Sequence, residues 1–345
     1  MAVRLTVPVT IVTGFLGSGK TTLVNRILRE PHGARIAVIE NEFGEVGVDA
    51  EFLTRTGDET IVQLANGCLC CNVRGDLAKA LHRIASMAQS EGLAFDRVLI
   101  ETTGLADPGP VIQTFLAETS IEAFFHLDGV VTLVDARHAQ AQADRVEFQA
   151  QIGYADRIVV SKIDLVAAEA RAWLEDALAD LNPRAPVVSC NQHEVPIGAM
   201  LAHVLDTRGF ANDYVPPEDV RRALGGLRLG AAGGTRLRPL GTGGHTQGVV
   251  SHVYVSDAPL DLERLNAAID ALVARYGTRL WRCKGVVQAA GHRGRLILQG
   301  VQGLILISGG TMWRPYEPRR TVLVFIGLGI DGNVVEEYLA SSVAA

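Results

Sequence analysis

From residue 7 to residue 189, short continuous apolar runs alternate with longer stretches whose apolar positions recur at helical spacing. The runs at 7–13, 35–39, 60–64, 97–101, 129–135, 157–161 and 186–189 predict strands. Several are apolar throughout instead of alternating, the pattern of strands covered on both faces. Residues 20–29, 74–88 and 167–181 carry the helical period and predict helices between them. Alternation of this kind predicts an α/β fold, a mostly parallel, doubly wound sheet with helices on both sides.

The pattern changes at residue 206. The stretch 206–247 contains Ala-Leu-Gly-Gly-Leu-Arg-Leu-Gly-Ala-Ala-Gly-Gly and then Gly-Thr-Gly-Gly, too much glycine to hold a stable element, and is read as a linker. Beyond it, apolar alternation predicts strands at 249–255, 280–287, 295–299, 304–308 and 321–326, with helices at 260–276 and 332–340. The expected organisation is therefore a nucleotide-binding domain over 1–205, a Gly-rich linker over 206–247 and a smaller α+β domain over 248–345. A length of 345 residues suits two domains.

Composition narrows the classes. Hydrophobic residues make up 48% and charged residues 20%, an ordinary globular balance. A net charge of -6 presents no basic face to nucleic acid or to anionic lipid, so neither is expected as a partner. The apolar runs are too short to cross a bilayer, and the first residues lack the apolar core and cleavage site of a secretory leader. Five cysteines, three of them within four positions, are not a disulfide framework. A reducing, cytoplasmic location is the expectation.

The most specific signal is Gly14-Phe-Leu-Gly17-Ser18-Gly19-Lys20-Thr21, which fits G-x-x-x-x-G-K-[ST] between a predicted strand and a predicted helix. Gly14, Gly17 and Gly19 let backbone N–H groups curl around phosphates, and the helix start adds partial positive charge there. Lys20 is expected on the β- and γ-phosphate oxygens and Thr21 on Mg²⁺, with Ser18 and Thr22 completing the cradle. At the end of the run 97–101, Glu101 is expected to orient a Mg²⁺-bound or attacking water. Gly104 is placed to offer its N–H to the γ-phosphate, and Asp107 is a weaker candidate for the work of Glu101. Ser161-Lys162-Ile163-Asp164 follows the strand predicted at 157–161, two strands after Glu101. The single Asp164 carboxylate accepts from both N1–H and the exocyclic amine of guanine, a pair adenine lacks, and the Lys162 stem lies along the base. This four-residue pattern, a serine-for-asparagine form of N-K-x-D, favours GTP over ATP.

Cys68, Cys70 and Cys71 sit in Gly67-Cys-Leu-Cys-Cys71. Soft thiolates so crowded suit Zn²⁺, Co²⁺ or Cu(I) better than Mg²⁺ or Ca²⁺. Three ligands without a fourth nearby leave an open coordination position, which suits a site that releases its ion. The acidic run 40–49 precedes them: Glu40 or Glu42 is a candidate oxygen ligand beside the thiolates, Glu45 or Asp49 a candidate for Mg²⁺. Cys190 and Cys283 are expected to be packing residues, while His245, His252 and His292 are weak secondary ligand candidates.

Together these residues resemble the CobW family of metallochaperone GTPases, close to its YjiA-like subgroup. The resemblance rests on the P-loop, Ile39-Glu-Asn-Glu-Phe-Gly-Glu45, Gly67-Cys-Leu-Cys-Cys71, Ile100-Glu-Thr-Thr-Gly-Leu-Ala-Asp-Pro-Gly109 and Ser161-Lys-Ile-Asp164, and on Trp281-Arg-Cys-Lys-Gly285 and Val324-Phe-Ile-Gly327 in the second half. It implies a Mg²⁺-dependent GTPase that binds zinc or cobalt through Cys68, Cys70 and Cys71, with Glu40 matching a position able to add a carboxylate. It further implies delivery of the metal to a client metalloprotein, and it admits a homo-oligomer. The Gly- and Arg-rich linker departs from the His-rich stretch of many relatives, which favours handling of single ions over storage. Two readings from other classes compete: an ATP-dependent small-molecule kinase, and a zinc-dependent scaffold or sensor in which nucleotide only stabilises the fold.

Overall fold

Eight strands form the first sheet: β1 (Val7–Gly14), β2 (Ile36–Glu40), β3 (Leu53–Thr56), β4 (Glu59–Gln63), β5 (Arg97–Glu101), β6 (Phe125–Asp135), β7 (Arg157–Ser161) and β8 (Val187–Ser189). Their spatial order is β3-β4-β2-β5-β1-β6-β7-β8. Every neighbouring pair is parallel except β3 with β4, which gives the predicted doubly wound sheet one antiparallel edge. The helices between the strands are α1 (Lys20–Arg29), α2 (Val73–Ser90), α3 (Gly109–Ala117), α4 (Thr119–Glu122), α5 (Ala139–Gln142), α6 (Val146–Tyr154), α7 (Ala168–Leu181) and α8 (Ile197–Val204). The computed structural model describes residues 6–40, 53–56, 59–63, 73–90, 95–191, 194–210, 234–236 and 248–344.

The centre of this sheet is apolar for a direct reason. β1 lies between β5 and β6, so neither of its edges is free, and Ile11 and Val12, which point to opposite faces, are both fully buried along with Val9, so its two faces are covered as well. α1 turns Leu23, Val24, Ile27 and Leu28 inward, at i, i+1, i+4 and i+5, against Val12, Val38, Leu99 and Leu133. Met200 and Val204 of α8 join the same core.

The chain divides into two compact units, Met1–Gln142 with Ala155–Ala172 and Val187–Gly209, and Ala143–Tyr154 with Trp173–Pro186 and Phe210–Ala345. The second unit holds β9 (Gly234–Arg236), β10 (Val249–Ser256), β11 (Leu280–Val287), β12 (Gly294–Val301), β13 (Leu304–Met312) and β14 (Thr321–Leu328), together with α9 (Leu262–Tyr276) and α10 (Gly332–Ala340). Its sheet runs β13-β12-β11-β14-β10-β9 and is antiparallel throughout. Asp261 caps α9 by accepting from Arg264 N at 2.9 Å, and Asp331 caps α10 by accepting from Asn333 N at 2.9 Å. Leu265, Ile269 and Leu272 of α9 bury against Leu280, Leu298 and Phe325. Ile326 faces the other way, where it meets Gly153 of α6, so helices cover both sides of this sheet.

Two expectations change. Gly234–Arg236 lies in the Gly-rich stretch read as holding no element, yet it pairs antiparallel with β10. Ladder bonds are made by backbone, so an edge position tolerates a glycine that a packed one would not. Nor does the linker begin at 206, because Thr207 and Arg208 are bound to the first sheet: Asp128 Oδ2 accepts from Thr207 N at 2.9 Å and Oδ1 from Arg208 N at 3.1 Å.

Candidate nucleotide site

β1 delivers the chain to Gly14, whose φ of 145° and close approach to the Leu133 carbonyl leave no room for a side chain. The loop ends at Gly19, in left-handed geometry at φ 96°, and α1 begins at Lys20 with no side-chain cap on its first N–H groups. Uncapped N–H groups at a helix start are donors waiting for an anion. Lys20 is buried, and its Nζ donates to Gly14 O at 2.8 Å and Phe15 O at 3.2 Å. Burial pulls its pKa below the ordinary lysine value, with Glu101 opposing that shift. The Ser18 Oγ is buried and has no hydrogen-bond partner among the described residues. A buried hydroxyl left open inside a ring of backbone donors fits a phosphate oxygen. Thr21 and Thr22 are exposed at the helix start.

Glu101 ends β5 beside β1, 7% exposed, and its Oε1 accepts from Thr21 Oγ1 at 2.7 Å. Two oxygen groups meeting at the phosphate loop suit a hard divalent cation such as Mg²⁺. The chain beyond is stitched back to β1: Thr102 N donates to Val12 O at 3.0 Å and Thr102 Oγ1 to Thr13 Oγ1 at 2.7 Å. Gly104 follows, so close to the phosphate loop that an added Cβ would stand 2.8 Å from Leu16 Cα. Asp107 is exposed and turned toward α3, accepting from Gly109 N at 2.8 Å.

The base motif meets the same loop from β7. Ser161 Oγ donates to Ser18 O at 3.0 Å, and Lys162 Nζ donates to Gly17 O at 2.9 Å and to Asp135 Oδ2 at 2.7 Å. Asp164 is exposed on a short 3₁₀ turn, Ile163–Leu165. The sequence thus brings Gly14, Gly17, Ser18, Gly19, Lys20, Thr21, Glu101, Gly104, Ser161 and Lys162 to one end of the sheet, above the carboxyl ends of its strands. That is where ligands of open α/β sheets bind.

Glu40 closes β2, and its backbone pairs with Glu101 on one side and Gln63 of β4 on the other. Cys68, Cys70 and Cys71, with Glu42, Glu45 and Asp49, lie outside the described residues, as does His245. Among the described residues no group of three or more His, Cys, Asp or Glu is arranged to hold a metal. His252 is buried in β10, with Nε2 3.4 Å from Glu336, and His292 is exposed. Cys190 and Cys283 are buried; burial raises both thiol pKa values, that of Cys283 to about 12.

Sequence reasoning missed Asp135 and His138. Asp135 ends β6 beside Ser161, is 2% exposed, and accepts from Lys162 and, at 2.8 Å, from His138 Nδ1. Burial disfavours its charge, but the bonds from Lys162 and His138 outweigh that and hold its carboxyl below the usual range. The signal available was an acidic residue terminating an apolar run, the same cue that singled out Glu101.

A strand, glycine loop and helix whose lysine and hydroxyls converge with a strand-end carboxylate and a guanine-type motif define a P-loop nucleotide hydrolase. Residues 8–189 match the description CobW/HypB/UreG, nucleotide-binding domain, and residues 249–343 match the cobalamin synthesis protein cobW C-terminal domain. The zinc chaperone YjiA of Escherichia coli (strain K12) is 38% identical over 338 residues, covering 97% of this chain and 98% of that protein. The zinc-regulated GTPase metalloprotein activator 1 of Dictyostelium discoideum is 30% identical, covering 97% and 78%. The crystal structure of Zn(II)-bound YjiA GTPase from E. coli matches with a TM-score of 0.76 at 32% identity, over 99% of this chain and all of that one. The chain belongs to the CobW/HypB/UreG family and is a GTPase of that family.

Proposed function

We propose that this GTPase is a metallochaperone that binds zinc through Cys68, Cys70 and Cys71, with Glu40 as a further ligand, and passes it to a client metalloprotein as GTP is bound and hydrolysed. Cobalt is the alternative cargo. One structural observation carries the coupling. The strand ends at Gln63, Glu40 and Glu101 lie in register across β4, β2 and β5, so the segment that leads from Gln63 to the thiolates starts one strand beyond Glu40, whose other neighbour is the carboxylate that accepts from Thr21. The names of the relatives, zinc chaperone and zinc-regulated GTPase, support zinc as the cargo.

In this reading Lys20, the loop N–H groups and Ser18 hold the phosphates, while Asp164 and Lys162 hold guanine. Thr21 and Glu101 would hold Mg²⁺, which neutralises charge building on the transferred phosphoryl group. Glu101 orients the attacking water, and Gly104 N–H reads the presence of the γ-phosphate. Phosphate contacts at Gly104 and cation contacts at Glu101 bias the neighbouring β2 end, and reciprocity requires metal at the thiolates to bias nucleotide affinity equally. The protein is read as cytoplasmic, acting on a protein client and on neither nucleic acid nor membrane. Among the described residues no helix is long and apolar enough to cross a bilayer.

The test is Zn²⁺ affinity by chelator competition with Mg²⁺ plus non-hydrolysable GTP, with GDP, and without nucleotide. A difference between the GTP and GDP forms, lost in Cys70→Ser/Cys71→Ser, supports the carrier. Equal affinities in all three states overturn the coupling and leave the scaffold or sensor reading.

A further inference from the structure

Lys162 has φ 57°, a left-handed backbone that a long side chain holds only when its surroundings over-determine it. Its ammonium bridges two fixed acceptors, Gly17 O at 2.9 Å and Asp135 Oδ2 at 2.7 Å. The carboxylate is itself fixed, since Oδ1 accepts from Arg137 N at 2.9 Å and Oδ2 also receives His138 Nδ1 at 2.8 Å. His138 is half exposed, so the network runs from the rim of the site to the interior. Ser161 supplies a second stitch from β7 to the loop through Ser18 O.

We propose that Asp135 is a positioning residue of the nucleotide site: it fixes Lys162 across the phosphate loop, so that base motif and phosphate cradle form one pre-organised unit, with His138 steadying the carboxylate from the rim. The inference rests on the guanine-nucleotide reading of this site. Without the carboxylate, the ammonium loses its charged anchor and swings off Gly17 O, and the loop must be ordered anew by each incoming nucleotide. The competing explanation is that Asp135 only builds the turn into α5, which its bond to Arg137 N would also serve.

A double-mutant cycle on the full chain separates the two, using fluorescent GDP as the probe. Asp135→Asn and Lys162→Met are each expected to weaken GDP roughly tenfold or more, as loss of a charge-assisted bond does. The double variant is expected to bind no worse than Lys162→Met alone, because both substitutions break one link. His138→Ala is expected to give a smaller loss, absent in the Lys162→Met background. Should Asp135→Asn fail to fold, Asp135→Glu replaces it, keeping charge while displacing it by one methylene; it is expected to weaken GDP only where Lys162 is present. GDP binding unchanged in the Asp135 variants, or losses that multiply in the double variant, overturns the proposal. Wild-type chain that binds no guanine nucleotide would instead sink the reading of the site itself.

Discussion

Thr21 Oγ1 donates a 2.7 Å hydrogen bond to Glu101 Oε1, tying the first turn of α1 to the end of β5. Both oxygens belong to the Mg²⁺ site proposed above, and that proposal gives both a part in the hydrolysis step. Glu101→Gln keeps the shape and removes the charge. It is expected to lower the single-turnover rate of GTP hydrolysis by about 10²-fold or more while leaving GDP affinity within a few-fold. Thr21→Ala is expected to abolish the Mg²⁺ dependence of nucleotide affinity, read by Mg²⁺ titration. Wild-type hydrolysis in Glu101→Gln would remove the carboxylate from the mechanism.

Gly104 gives a second test of the same corner. Its buried backbone lies against the phosphate loop, where an added Cβ would stand 2.8 Å from both Leu16 Cα and Leu16 Cγ. Gly104→Ala must push the loop aside, at a cost of about 1–3 kcal/mol typical of overpacking. The expected result is weaker GTP binding and slower hydrolysis. Leu16 is 56% exposed, so Leu16→Ala leaves the core intact, and combining it with Gly104→Ala is expected to restore part of the affinity. Restoration is partial because the Leu16 Cα stays in place. Unchanged GTP affinity in Gly104→Ala would show that the loop yields freely.

Much of this corner was legible in the sequence because its chemistry is local. The phosphate loop, Glu101 and the base motif each sit within a few residues of a strand whose apolar run marks it, so order along the chain predicted their convergence. Asp135 escaped because its role depends on a partner 27 positions away, and only the parallel register of β6 and β7 makes the two adjacent. The antiparallel edge strand β3 escaped because Leu-Thr-Arg-Thr has little apolar content, and an edge strand needs little. Likewise α6 read as part of the first half of the chain, yet its Gly153 packs on Trp281 and Ile326, contacts that no local pattern announces.

Acid should loosen the first sheet through Asp96. Its carboxylate accepts from Arg35 N at 2.8 Å and from Arg35 Nη2 at 2.9 Å, joining the starts of β5 and β2. Those hydrogen bonds hold its pKa below the usual carboxylate value. A group depressed in the folded state adds stability that is present above the unfolded pKa, near 3.9 for an aspartate, and is lost as pH falls through the folded value. Both side chains are nearly half exposed, so the contribution is at most about 1 kcal/mol. Asp96→Asn is expected to lower the melting temperature slightly at pH 7 and to converge with wild type once pH has fallen below the folded value of the Asp96 carboxyl. A constant offset at all pH values would assign the effect to lost backbone geometry instead.

The five thiols divide into two classes, and labelling separates them. Cys283 is fully buried in β11 with a pKa raised to about 12, so at pH 8 its thiolate fraction is about 10⁻⁴. Cys190 is buried beneath α1 and α8, and burial raises its pKa as well. Neither is expected to react with iodoacetamide in the native chain, while both react after unfolding. Cys68, Cys70 and Cys71 are expected to label readily in metal-free protein and to be protected by one equivalent of Zn²⁺, because a coordinated thiolate is no longer free to attack. Mass mapping of the labelled positions checks both halves. Protection of the three by zinc, lost when Mg²⁺ and a non-hydrolysable GTP analogue replace GDP or appearing only then, would tie the thiolates to the nucleotide state. Labelling that zinc does not change would remove Cys68, Cys70 and Cys71 as metal ligands.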